Sequence, residues 1–160
     1  MNLGAPSIVQ AMILVPAMAG LLSLLSSPWL ALRRWLGLFA GICQVVLAMG
    51  AVSAFDTPPS TGAAAGPVTI AQMATTIDWM SMVEPPARLA VDGLNLYALL
   101  LLSVVTLLAL CMDSLDGSGR GALRQAGVFA VSAAAAGYLL SRDLVLAAAC
   151  HGTAALALGW

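Results

Sequence analysis

The sequence contains no lysine, a single histidine and little charge of either sign: six arginines and seven acids leave 8% charged side chains in 160 residues, against about 25% in an ordinary soluble domain. Scarcity on this scale excludes a water-facing surface over most of the chain. The arginines are too few and scattered, with Arg33-Arg34 the longest cluster, to leave an electrostatic footprint for nucleic acid. Cysteine is sparse as well. Cys43, Cys111 and Cys150 lie far apart inside apolar runs, which excludes a zinc spacing or a redox pair and reads as buried free thiols. Three such thiols and one histidine cannot ligate haem or an iron-sulfur cluster, so no metal or cofactor is expected. Nor do the remaining residues assemble a Ser/His/Asp set, a glycine-rich phosphate loop or paired embedded carboxylates. The chain is not expected to catalyse a reaction by itself.

What is present is aliphatic: 61% of residues are hydrophobic and only 6% aromatic, as bilayer-spanning helices require. The expected fold class is all-α, a single polytopic membrane domain of about five transmembrane helices over residues 1–160. The first apolar run, Ile8 to Leu25, is interrupted by Gln10, Ser23 and Pro16 and reaches about 27 Å at 1.5 Å per residue. No charge precedes it in Met1 to Ser7, so it lacks the basic flank of a cleaved signal and is expected to stay as a membrane helix. A basic turn holding Arg33 and Arg34 leads to a second span, Trp35 to Phe55, stopped by Asp56-Thr57-Pro58-Pro59. Residues 56–93 form a loop rich in Pro, Gly, Ala and Thr. Three further apolar runs follow: Leu94 to Met112, Gly121 to Leu140 and Leu144 to Trp160, separated by the acidic, glycine-containing turn Asp113 to Gly119 and by Ser141-Arg142-Asp143.

Arginine placement orients the spans. The first and third connections carry Arg33, Arg34, Arg120 and Arg124, the second and fourth only Arg88 and Arg142. Short arginine-bearing loops stay in the cytoplasm, so the N-terminus and the 56–93 loop are expected outside a bacterial cytoplasmic membrane and the C-terminus inside.

Helices in lipid associate through small residues and through polar groups turned from lipid. Gly37 with Gly41, and Ala133 with Gly137, have the small-x-x-x-small spacing of such contacts, and the alanine-rich last two spans suit protein neighbours. His151 is the one ionisable group deep in a span. It is therefore the proton-path candidate, the alternative being a neutral histidine hydrogen-bonded to a neighbouring helix. Asp92 and Asp143 precede the third and fifth runs, where a carboxylate caps the helix by accepting its orphan N–H groups.

The string RLAVDGLNLYALLLLSVVTLLAL, Arg88 to Leu110, resembles the third-helix signature of the antiporter-like subunits of proton-translocating NADH:quinone oxidoreductase, complex I. Ile77-Asp78-Trp79 is similar to the outer loop before that helix, and Leu139 to Trp160 to the family's fourth turn and fifth helix. The chain departs from the family at a decisive place. With Asp143 on the family's aspartate, His151 falls where a tryptophan lies and Gly152 where the fifth-helix proton-channel glutamate would be, and the family's buried lysines have no counterpart. The resemblance implies a truncated, degenerate antiporter-like subunit with a structural or accessory role. Its expected partners are lipids and the larger membrane subunits of a proton-translocating or ion-coupled complex, including a complete antiporter-like subunit. The N-terminal part of a split proton channel, as in hydrogenase-, cation/proton antiporter- or inorganic-carbon-uptake-type assemblies, and a free-standing assembly factor are the alternatives.

Overall fold

A computed structural model describes residues 5–26, 28–55, 71–76, 88–115, 121–142 and 144–158. Five helices follow the apolar runs: α1 Ala5–Leu25, α2 Leu30–Ala54, α3 Gly93–Leu115, α4 Gly121–Leu140 and α5 Leu144–Leu158. The first four are long and apolar enough to cross a membrane, whereas α5 is a shorter apolar helix. The protein is thus a small polytopic membrane protein with an all-α bundle. Large apolar side chains such as Leu21, Phe39, Val46, Leu101 and Leu108 stand exposed on its outside, where lipid is their solvent.

Helix α2 begins five residues before the span read from sequence, because Arg33 and Arg34 lie in its first turns rather than in a connection. Cations at a helix N-terminus oppose its dipole. Here packing overrides that preference: the Arg33 side chain is buried against the start of α4. Pro16 is also tolerated inside α1. Its ring is buried, and its missing N–H leaves the Met12 carbonyl without its helical donor.

Part of the 56–93 segment is not loop. β1 Ala71–Thr76 and β2 Arg88–Asp92 pair antiparallel, Ala71 opposite Asp92 and Thr76 opposite Arg88, with an irregularity between Gln72 and Thr75. Leu89 and Val91 of β2 are buried among Val9, Met12, Leu96, Leu99, Ala136 and Leu140. Leu89 also bridges to Ser141. The ribbon therefore plugs one end of the bundle, and Arg33, Arg34 and Arg124 mark the other. The turn at Asp116 to Gly119, Ile77-Asp78-Trp79 and Asp143 fall outside the described residues.

Candidate functional site

At the ribbon end, Asp92 Oδ1 accepts the backbone N–H of Asn95 at 2.7 Å, satisfying one of the orphan donors of α3. Its Oδ2 lies 3.4 Å from Arg142 Nη2, in the turn after α4. Asn95 Nδ2 in turn donates to the Leu139 carbonyl at 2.7 Å. The Asp-Gly-Leu-Asn stretch thus starts one helix and fastens the end of another. Asp92→Ala is expected to cost about 1 kcal/mol, read as a lower midpoint in detergent unfolding. Asp92→Asn keeps the cap and most of the stability.

His151 sits exposed on the outer face of α5, its ring 6.1 Å from that of Tyr138 on α4. Beside it, a Cβ at Gly152 would meet none of the described residues within 4 Å. Among the described residues no group of three or more His, Cys, Asp or Glu is placed to hold a metal ion.

The polar side chains that bond between helices lie elsewhere, on α2, α3 and α4, whereas the buried Ser23 of α1 donates to the Ala19 carbonyl of its own helix at 2.8 Å. Gln44 Nε2 donates to Ser132 Oγ at 2.7 Å. Ser132 Oγ is 3.1 Å from Thr106 Oγ1, which donates to the Leu102 carbonyl at 2.8 Å. Each hydroxyl has one proton. With the Thr106 proton on Leu102, the Ser132 proton points to Thr106 and the Gln44 amide proton to Ser132, so the chain runs one way and ends on backbone. Gln44 Oε1 remains buried without a hydrogen-bond partner among the described residues.

A second polar layer lies towards the arginine end. Gln125 Nε2 donates to the Arg33 carbonyl at 3.2 Å. It does so across Gly37, where a Cβ would overlap Nε2 and come within 3.0 Å of Cδ. Gly121 on α4 makes room in return for the Arg33 guanidinium: a Cβ there would overlap Nη2 and lie 3.0 Å from Cζ. Arg33 thus faces Gly121, Gly37 faces Gln125, and Gln44 bonds Ser132, each pair separated by 88 positions in sequence. The two helices run in the same direction in one fixed register, each offering glycine where the other is long.

Between the two layers stands an apolar one of Ala40, Leu110 and Phe129, joined by Ala19 from α1. Gly37 and Gln44 are about 10 Å apart along the helix, and this layer fills that interval. Beyond Gln44 the apolar plug under the ribbon takes over. The rungs hold helices together; the described residues do not join them into a path along the bundle.

The other small residues read from sequence divide between two surroundings. A Cβ at Gly41 would meet Leu107 Cδ1 at 2.9 Å and Leu110 Cδ1 at 3.1 Å, so Gly41 faces α3. One at Gly137 would lie 2.7 Å from Cys150 Sγ, where α5 crosses α4. Ala133 instead lines an open groove of about 1190 Å³ between α1, α3, α4 and α5. The groove wall is largely small: Ala17, Gly20, Ala109, Gly127 and Ala130 contribute, while Arg124 stands at one end. Sequence reading had not singled out Gly20, Gly121, Gln44, Thr106, Gln125 or Ser132. The signal that was available is the amide of Gln44 inside an otherwise apolar span, since polar side chains within lipid turn inward to a partner. No protein-family model matches the chain, and no curated protein matches it.

Proposed function

We propose that this protein is a degenerate antiporter-like membrane subunit with an accessory, helix-packing role in a larger proton-translocating or ion-coupled complex, most simply a relative of complex I. The observation that carries the accessory role is the small-residue groove of about 1190 Å³ on the flank of the bundle. Small residues let a neighbouring helix approach closely where hydrophobicity alone gives no driving force. The complex I relation rests on the sequence resemblance in residues 77–100 and 139–152. The interrupted polar layers and the outward position of His151 favour packing over conduction by this chain alone. The arginine end lies in the cytoplasm in this reading, and the ribbon outside.

Purification in mild detergent is expected to bring down a polytopic, lysine-bearing antiporter-like subunit in stoichiometric amount. A pure preparation of this chain alone would overturn the proposal. Gly127 sharpens the test, because a Cβ there meets none of the described residues within 4 Å and the residue lines the groove. Gly127→Leu is expected to leave the unfolding midpoint unchanged and to lower co-purification at least about tenfold, the equivalent of 1.4 kcal/mol of association. His151→Ala is expected to leave both incorporation and proton flux of the reconstituted assembly unchanged. Loss of flux with intact incorporation would replace the accessory reading by a split channel.

A further inference from the structure

At the arginine end two residues that carry buried polar atoms line the same small cavity. Arg33 is 4% exposed, and its Nε–H has no hydrogen-bond partner among the described residues. The Asp113 side chain, on the last turn of α3, is 8% exposed. Its Oδ1 also lacks a hydrogen-bond partner among the described residues, the guanidinium of Arg124 standing 3.7 Å away, beyond hydrogen-bond reach. Both residues line a cavity of about 10 Å³, together with Arg34, Gly37, Leu38, Leu110, Ser114 and Gln125. Buried donors and acceptors of charged groups are costly to leave unmade.

We infer that this cavity is a binding site for one water molecule, which accepts from Arg33 Nε–H and donates to Asp113 Oδ1. Size and charge together select the occupant. About 10 Å³ of space for the molecule's centre is the threshold for a single water and is too little for anything larger. A cation there meets the field of Arg33, Arg34 and Arg124, and an anion meets the carboxylate of Asp113. A neutral molecule able both to accept and to donate satisfies the two orphans at once. The bridge makes Asp113 the counter-charge of two arginines, Arg124 across 3.7 Å and Arg33 through the water. It ties the start of α2 to the end of α3 at the level where Gly121 and Gly37 seat α4. The Arg33 carbonyl is already engaged by Gln125.

The test uses the full chain in lipid nanodiscs, labelled with ¹⁵N-arginine in an otherwise deuterated background. The Arg33 Hε resonance is assigned by its loss in Arg33→Lys. A cross-peak between Hε and water, with the sign of direct proximity rather than of exchange, is the expected result, with Hε itself exchanging slowly. Asp113→Asn keeps an acceptor oxygen and is expected to retain the cross-peak. Asp113→Ala is expected to speed Hε exchange about tenfold or more. A slowly exchanging Hε without a water cross-peak would assign it a direct protein acceptor and overturn the inference. An Hε exchanging as fast as in free arginine would do the same by showing the cavity open to bulk solvent. Because the wild-type cross-peak decides by itself, instability of either Asp113 variant leaves the test intact.

Discussion

Gly20→Leu is expected to destabilise the bundle strongly. Gly20 lies where α1 crosses α4, and a Cβ there would sit 3.3 Å from the Cβ of Phe129 and 3.5 Å from the Ala126 carbonyl oxygen. Neither neighbour can swing aside: one is the root of a fully buried ring, the other is backbone. At Gly37 the opposing atom is the far end of Gln125, which can rotate away at the cost of its bond to the Arg33 carbonyl. A leucine at position 20 must instead part the two helices. Overpacking in a well-filled core costs about 1–3 kcal/mol. Lipid offers no hydrophobic gain to offset separated helices, so a loss of about 3 kcal/mol is expected. Unfolding by denaturing detergent, followed by tryptophan fluorescence, measures it. Gly127→Leu, on the same groove but with open space around it, is the control and should unfold with the wild-type midpoint. If Gly20→Leu matched that control, α1 and α4 would not be held as closely as described.

The bundle was legible because span length is a local property. Eighteen or more consecutive apolar residues need no knowledge of neighbours to be read as a helix in lipid, and α1, α3 and α4 start and stop within a few residues of the apolar runs. The Asp92 cap is equally local, a carboxylate three residues from the N–H it accepts. Features that depend on another helix were not legible. Arg33 reads as part of a basic turn because it stands between two uncharged runs, yet Gly121, 88 positions away, makes the slot that receives it. Gln44 meets Ser132 at the same separation, and nothing in either span announces the other. The face His151 occupies depends on how α5 crosses α4 at Gly137 and Cys150, a contact that the spacing of Ala133 and Gly137 alone does not fix. The ribbon was missed for a related reason: β2 is short and apolar only at its centre, and its strand character comes from pairing with β1 and burial under α1.

Ser132→Ala is expected to destabilise the bundle more than Gln44→Leu, although glutamine is the larger and more polar residue. The Gln44 amide is bonded through Nε2 to Ser132 Oγ at 2.7 Å, while its Oε1 is already buried without a partner among the described residues. Removing the serine hydroxyl strands both ends of the amide in an apolar interior, a cost of about 1–3 kcal/mol. Gln44→Leu removes donor and orphan together and fills a similar volume. Ser132 keeps its bond to Thr106, whose own proton goes to the Leu102 carbonyl of its helix. That variant should lie within about 0.5 kcal/mol of wild type, since replacing both polar ends by apolar surface is close to neutral. The double variant should then be as stable as Gln44→Leu alone, because no amide is left to strand. The coupling energy of the cycle should then equal in magnitude the cost of Ser132→Ala, about 1–3 kcal/mol. The reverse order, with Gln44→Leu the costlier change, would mean that Oε1 accepts a hydrogen bond from a group other than those described. The layer would then be a contact reaching beyond α2, α3 and α4 rather than a rung closed among them.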